Sequence, residues 1–485
     1  MPLLGVRETS TQLRWPRQRN WWVETAEGKR VNSSSLGPPR AVAPYLLVMD
    51  LSFSAYFSFL AGKIRREIHH EEGAFDSSVL PAFFCLLAPV VWQWNQVNLL
   101  LNMFDPEDIS TELLVVALST AVIGLADCTP RCMFIGADTG EHGSDPGDAD
   151  CTSFAVTFMM LKAVTAVYAC YYAWHARGAR IIAARSVLGT ACVGAACAAL
   201  LALPSESGSG EGEEMDEFRA VYFGLTAFAI ELGTSFAPLP CSLCSKLGLH
   251  SLTLSMPLDL SYSEKRWERL FFVTLGTVVA RAVTTLDDDF DIRLVGVYAF
   301  LPWLTFLLKC QYFDLAAHSC ATPGHAMRTS RLRGFLWVLA HLPMIAAMHW
   351  LSVAMSQLQV FDADGAHTSR PWESCGLACA HYSRSVVTYM ASCLVLQLLH
   401  AADGSARERR IGRVGRHAVR LAVIGGELAL HFFATTRLGA YYYVLSSLGM
   451  LTAATAVEAW GKRPRKAAGD GGEATAAVPS APLLQ

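Results

Sequence analysis

Apolar and polar positions alternate along this chain on a long scale. Runs of about 17–25 mainly apolar residues, enough to span roughly 30 Å of hydrocarbon at 1.5 Å per helical residue, recur from end to end. They fall near residues 43–61, 79–101, 112–127, 153–174, 180–203, 219–239, 268–286, 292–309, 334–355, 384–400, 418–437 and 439–459. Inside lipid every backbone polar group must be satisfied within its own segment, so apolar runs of this length are helices. The pattern therefore predicts an all-α fold, a polytopic transmembrane helical bundle of about twelve spans. Residues 1–42 are expected as a basic cytoplasmic tail, 43–460 as the transmembrane domain and 461–485 as a disordered C-terminal tail.

Composition agrees. The 485 residues are 52% hydrophobic and only 17% charged, against about 25% charged in soluble chains, so there are too few charged groups to cover a water-exposed surface. The expected surroundings are a lipid bilayer. A net charge of −3 gives no bulk basic character and hence no reason to expect a nucleic-acid partner. The first apolar run begins only near Val42, after Arg7, Arg14, Arg17, Arg19, Lys29, Arg30 and Arg40, which suits a cytoplasmic tail better than a cleaved signal. A transit peptide is the rival, and Glu8, Glu24 and Glu27 count against it.

Lys and Arg in the connections set the orientation. The stretches near 175–180, 240–267, 309–333 and 401–417 and the tail after 460 carry Arg177, Arg180, Lys246, Lys265, Arg266, Arg328, Arg331, Arg407, Arg409, Arg410, Arg413 and Lys462. These are expected inside, with both termini. The connections at 127–152, 204–218, 287–291 and 356–383 are acidic or poor in Lys and Arg and are expected outside. One disagreement stands: Lys63, Arg65 and Arg66 would lie outside, so either they extend the first helix or the first three spans are miscounted.

Within the apolar runs the polar residues are the informative ones. Asn95, Asn98, Asn102 and Asp105 fall at i, i+3, i+7 and i+10, one continuous stripe of a 3.6-residue helix, and Asp108 follows. Asp50 shares a face with Ser54 and Ser58. Lys162 lies midway along the fourth run, Glu231 in the sixth, Arg281 in the seventh, His341 just before Pro343 in the ninth, and Glu427 and His431 four apart in the eleventh. Charges in lipid are tolerated only with a partner or water. Lys162 and Arg281 thus need acids, and Asp50, Glu231 and Glu427 are available. As a set these residues could line one polar pathway. The plainer alternative is that they pair and fix helix register, each contact stabilising by about 0.6 kcal/mol on average.

Other chemistry is thinly represented. Cys128, Cys132 and Cys151 share one expected outer connection and Cys375 and Cys379 another, which would permit disulfides on an oxidising side. Cys241 and Cys244 form a CxxC with His250 nearby, but a zinc site wants four ligands and no fourth is evident. No metal or cofactor site is expected. Phosphate-cradling glycine loops, nucleophile elbows and HExxH motifs do not occur. No sequence repeat is visible, and no feature of the pattern specifies an oligomer.

Several segments together resemble the low temperature requirement A family. Leu47, Asp50, Leu51 and Phe53 are similar to the Leu, Asp, Leu and Phe of its opening Glu-Leu-Phe-Phe/Tyr-Asp-Leu-x-Phe helix, with Leu46 in place of the Glu. Trp92, Trp94, Asn102, Phe104, Asp105 and Asp108 resemble its tryptophans followed by Asn-x-Phe-Asp-x-x-Asp. Gln311-Tyr312-Phe313-Asp314 resembles its Tyr-Phe-Asp, and Ala340-His341-Leu342-Pro343 its His-Leu-Pro helix. Its Glu-Arg and Leu-Gly-Glu landmarks are represented by Lys265-Arg266, with Glu264 beside them, and by Leu275-Gly276-Thr277, where Thr277 replaces the second acid. The resemblance implies a multi-helix integral membrane protein associated by name with growth in the cold.

The leading expectation is transport of an ion or small polar solute through a polar cavity, with protons coupled through His341 or the carboxylates. The alternatives are a membrane sensor or scaffold supporting cold adaptation without transport, and an intramembrane enzyme acting on lipid.

Overall fold

The computed structural model describes residues 22–24, 30–32, 44–70, 79–103, 109–133, 151–175, 180–202, 212–236, 260–284, 292–316, 325–364, 371–400, 411–434 and 440–462. Among these, twelve long helices follow one another: α1 Leu46–His70, α2 Val79–Met103, α3 Ile109–Met133, α4 Cys151–His175, α5 Arg180–Leu201, α6 Gly212–Phe236, α7 Leu260–Thr284, α8 Ile292–Lys309, α9 Arg331–Asp364, α10 Pro371–Leu399, α11 Arg413–Ala434 and α12 Ala440–Lys462. Each overlaps one of the twelve apolar runs. α8 continues into a π-helical segment, Cys310–Ala316. A one-turn helix, Ala326–Thr329, precedes α9. Outside the helices, Trp22–Glu24 pairs antiparallel with Arg30–Asn32.

The interior is a large apolar core with ionisable and amide groups set into it, and the outer surface is apolar too. Asp50, Asn98, Asn102, Lys162, Glu231, Arg266, His341, Arg420, Glu427 and Glu458 are buried, while Leu113, Val116, Ile123, Val156, Val167, Leu421 and Phe432 are exposed. So many exposed large apolar side chains suit a protein whose outer surface meets lipid. Four described stretches are by themselves long and apolar enough to cross a membrane: Ser110–Thr129, Thr152–Trp174, Ile182–Leu201 and Leu332–Ser356. The last is 83% buried against 22–44% for the others, which makes α9 the central helix. Hydroxyls inside the helices are satisfied locally: Thr120, Thr157, Ser385 and Thr455 each donate to the carbonyl four residues back.

The connections are shorter than the charge pattern suggested. α1 runs unbroken to His70, so Lys63, Arg65 and Arg66 lie within the first helix. α7 begins at Leu260, which takes Lys265 and Arg266 out of the expected inner connection and into a helix. α10 begins at Pro371 and removes Cys379 from its expected outer loop; Cys379 is buried and disulfide-bonded. At the other end of α10, the Arg413 guanidinium donates to the carbonyls of Gln397, Leu398 and His400 at 2.7–3.1 Å, occupying acceptors that the helix end leaves open.

Packing order reveals a repeat that the sequence does not display. In the first half α1 packs on α3, α3 on α4, α4 on α5, α5 on α6, α6 on α2, and α2 on α1. In the second half α7 packs on α9, α9 on α10, α10 on α11, α11 on α12, α12 on α8, and α8 on α7. The cycle is the same with every number raised by six. Traces survive in the residues: the second helix of each unit holds an internal proline, Pro89 or Pro302. It is followed by an amide-x-Phe-Asp, Asn102 to Asp105 or Gln311 to Asp314, and the sixth helix carries a late glutamate, Glu231 or Glu458. The units meet where α1 and α2 pack against α7 and α9.

Close approach of α2 and α6 depends on one glycine. A Cβ at Gly224 would overlap the Cys85 carbonyl, whereas one at Gly233 of the same helix would meet nothing within 4 Å. Gly224→Ala is expected to destabilise the bundle by about 1–3 kcal/mol, the usual range for overpacking. Gly233→Ala should be neutral or slightly stabilising through helix propensity. Unfolding of both variants in mixed micelles measures the difference.

Candidate functional site

The junction of the two units holds a fully buried ion pair. Asp50 of α1 and Arg266 of α7 are both 0% exposed. Arg266 Nη1 donates to Asp50 Oδ2 at 2.8 Å, and its Nη2 lies 2.8 Å from Oδ1. Trp94 of α2 donates from Nε1 to Oδ1 at 2.9 Å, and the guanidinium lies 5.6 Å from the centroid of the same indole. Burying either charge alone would cost several kcal/mol, so the two hold α1, α2 and α7 together as a set. Asp50 was expected to find a cation. Its cation is Arg266, which read as part of a connection; the side chain of Arg281 lies outside the described residues.

An aromatic wall joins this pair to His341. Trp94 lies edge-on to Trp267, 4.8 Å between centroids, and Trp267 lies 4.6 Å from the His341 ring. His341 Nδ1 lies 2.7 Å from the Trp337 carbonyl, which can only accept, so that nitrogen carries the proton. Nε2 faces the Tyr312 hydroxyl at 2.9 Å. The carbonyl taken is that of Trp337 rather than Leu339, which Pro343 leaves without its amide. Tyr312 belongs to the π segment, a local widening of the helix that recurs at functional sites, and stacks on Phe271 of α7 at 4.2 Å.

The asparagine stripe faces this same junction. Trp94, Asn98 and Asn102 are spaced by four and share a face of α2; Ser263 and Trp267, also spaced by four, face them from α7. Asn102 donates to Ser263 Oγ at 2.8 Å. Asn98, between the two contacts, is 1% exposed, and neither its Oδ1 nor its Nδ2 has a hydrogen-bond partner; Arg266 Nε has none either. Asn95 is buried on the flank of the stripe. Asp105 and Asp108 lie outside the described residues.

The opposite face of α2 serves a second cluster within the first unit. Lys162 of α4 is ion-paired with Glu231 of α6. Lys162 also donates to Gln93 Oε1 at 3.0 Å, and Gln96 donates to Glu231 Oε2 at 3.0 Å. A third cluster lies in the second unit. Arg420 of α11 and Glu458 of α12 form a fully buried pair at 3.0 Å, and Arg420 Nη2 donates to the Gln311 carbonyl at 3.2 Å. The π segment thus touches His341 through Tyr312 and the Arg420–Glu458 pair through Gln311. Glu427 and His431 lie further along α11; Glu427 accepts from Ser447 and is buried, and His431 is half-buried.

Those of the residues singled out in the sequence that are described therefore gather in three places. Arg266 read as part of a connection, and Arg420 and Glu458 were not singled out; each lies within about two turns of a helix end, where long charged side chains ordinarily reach back to the interface. The signal was present for the last two, since both fall inside apolar runs.

A family model described as Bacterial low temperature requirement A protein (LtrA) matches residues 44–459, from the turn before α1 to the last turn of α12. No curated protein and no solved structure matches the chain.

Removing the Tyr312 hydroxyl leaves His341 Nε2 buried without its partner. Tyr312→Phe is expected to destabilise the protein by about 1–3 kcal/mol, the desolvation penalty of an unpaired buried group. The same-sized change Tyr442→Phe on the exposed face of α12 should have little effect, and thermal unfolding in detergent compares the two.

Proposed function

The chain belongs to the low temperature requirement A family, and from that premise we propose that this integral, multi-pass membrane protein carries an ion or small polar solute between its two six-helix units. The observation that carries this reading is Asn98. Its amide is buried at the unit junction with both heteroatoms unfilled, one turn along α2 from Trp94 and on the face that meets Ser263 and Trp267. Such groups recognise a small polar or anionic guest by replacing the hydrogen bonds it leaves in water. The Asp50–Arg266 pair acts as the closed gate. Separating a buried pair costs about 3–5 kcal/mol, which a charged guest offsets by taking the place of one partner. Twelve spans with both termini on the cytoplasmic side, as the distribution of Lys and Arg indicates, set the two units in parallel across the bilayer.

A sensor or scaffold supporting cold adaptation is the second reading. It is favoured by the pairing of Asp50, Glu231 and Glu458 with neighbouring cations, which is what helix staples require.

Purified protein in liposomes, assayed with a panel of ions and small solutes, separates the two. Transport predicts flux of at least one solute, reduced tenfold or more by Asn98→Leu and by Asp50→Asn, while Asn98→Leu keeps its abundance and melting temperature. No flux for any solute from the wild-type protein, with cells indifferent to Asp50→Asn, would overturn it in favour of the scaffold.

A further inference from the structure

Four carboxylates are buried among the described residues, and three have a cation: Asp50 has Arg266, Glu231 has Lys162, and Glu458 has Arg420. The fourth, Glu427, is also 0% exposed and has no cation among the described residues. Its surroundings are hydroxyls. Ser447 of α12 donates to Oε1, and Ser383 of α10 donates to the Glu427 main-chain carbonyl at 3.0 Å, so three helices converge at this level. Oε2 has no hydrogen-bond partner. The phenol of Tyr382 lies beside Ser447 and that of Tyr443 beside Ser383, both close enough to sense the Glu427 charge. Neither phenol oxygen reaches hydrogen-bond geometry.

Among the described residues, no side chain on the surrounding helices supplies the missing positive charge. On α11, Arg420 is engaged with Glu458 and the Gln311 carbonyl, and His431, one turn beyond Glu427, is only half-buried. On α10, Arg384 is exposed, and Tyr382 and His381 are its titratable neighbours; His381 accepts from the indole of Trp350. On α12 the titratable neighbour of Glu427 is Tyr443, since Tyr442 is exposed and Glu458 is paired with Arg420. A bare carboxylate in this setting is costly, and the cost disappears when the group is neutralised.

We propose that Glu427 is a binding site for an exchangeable proton, carried on Oε2 and exchanged with water past His431. The hydrogen-bond inventory fits that occupant. Oε1 already accepts from Ser447, and a proton on Oε2 turns an unfilled acceptor into a donor, for which the phenol oxygens of Tyr382 and Tyr443 offer open lone pairs. Glu427 then keeps three helices in contact without a buried net charge. The site stands on its own geometry. If solute crosses between the units as proposed above, it also identifies the proton as the coupled ion, and absence of flux would leave the proton site untouched.

Infrared difference spectra of the full chain in lipid nanodiscs test this at neutral pH. The wild-type spectrum minus that of Glu427→Gln should contain a protonated-carboxyl C=O stretch that moves to lower frequency in D2O and is unchanged when sodium chloride replaces choline chloride. Ser447→Ala, which removes the donor to Oε1, should move that band to higher frequency without abolishing it, and serves as the test should Glu427→Gln fail to fold. A difference confined to carboxylate bands, a band that sodium removes, a band that never shifts in D2O, or an unaltered carboxyl band in Ser447→Ala would each overturn the proposal.

Discussion

A charge inside this bundle must be answered by the protein, because the lipid around it offers nothing, and the pairing of Asp50 with Arg266 is where that requirement shapes the molecule most. The two side chains come from α1 and α7, the first helix of each six-helix unit. Their contact, with the Trp94 indole donating to the same carboxylate, ties the units together at a point remote from water. Everything else at the junction is placed relative to it: the Trp94–Trp267 edge contact, the His341 ring beyond, and the asparagine stripe whose middle amide is left unfilled.

The helix α2 shows how one element serves two purposes. Its residues at 94, 98 and 102 look across the junction, and Gln93 and Gln96 look the other way into the Lys162–Glu231 pair. In the second unit the end of α8 has a comparable position. The π segment sends Tyr312 to His341 and the Gln311 carbonyl to Arg420, so a change at the junction has a physical route to α11 and α12. Whether a guest at Asn98 and a proton at Glu427 are linked depends on this seven-residue segment.

The sequence made the helices legible because lipid imposes one length and one backbone solution, and all twelve apolar runs correspond to helices. It also pointed to Asp50, Lys162, Glu231 and His341, since ionisable groups deep in apolar runs have few innocent explanations. What it concealed has physical reasons. Arg266 sat beside Lys265 and near Glu264, so it read as part of a solvated connection until α7 proved to begin at Leu260. Arg420 and Glu458 were not singled out, and each is near a helix end. The duplication was hidden because packing in lipid constrains side-chain size and polarity at scattered positions only. Two units can keep one packing cycle while sharing little beyond a proline, an amide-x-Phe-Asp and a late glutamate. The expected single pathway became three clusters because residues on opposite faces of α2 cannot line one surface.

The central claim is that Asp50 and Arg266 act as a coupled pair in the membrane, and a double-mutant cycle measures that coupling. Unfolding free energies of Asp50→Asn, Arg266→Gln and the double variant in lipid nanodiscs are compared with wild type. Each single change should cost about 3–5 kcal/mol by stranding a buried partner, and the double variant should cost clearly less than their sum, a coupling of at least about 1.5 kcal/mol, within the range known for contacting groups. Additive losses, with no coupling between the two positions, would contradict the account.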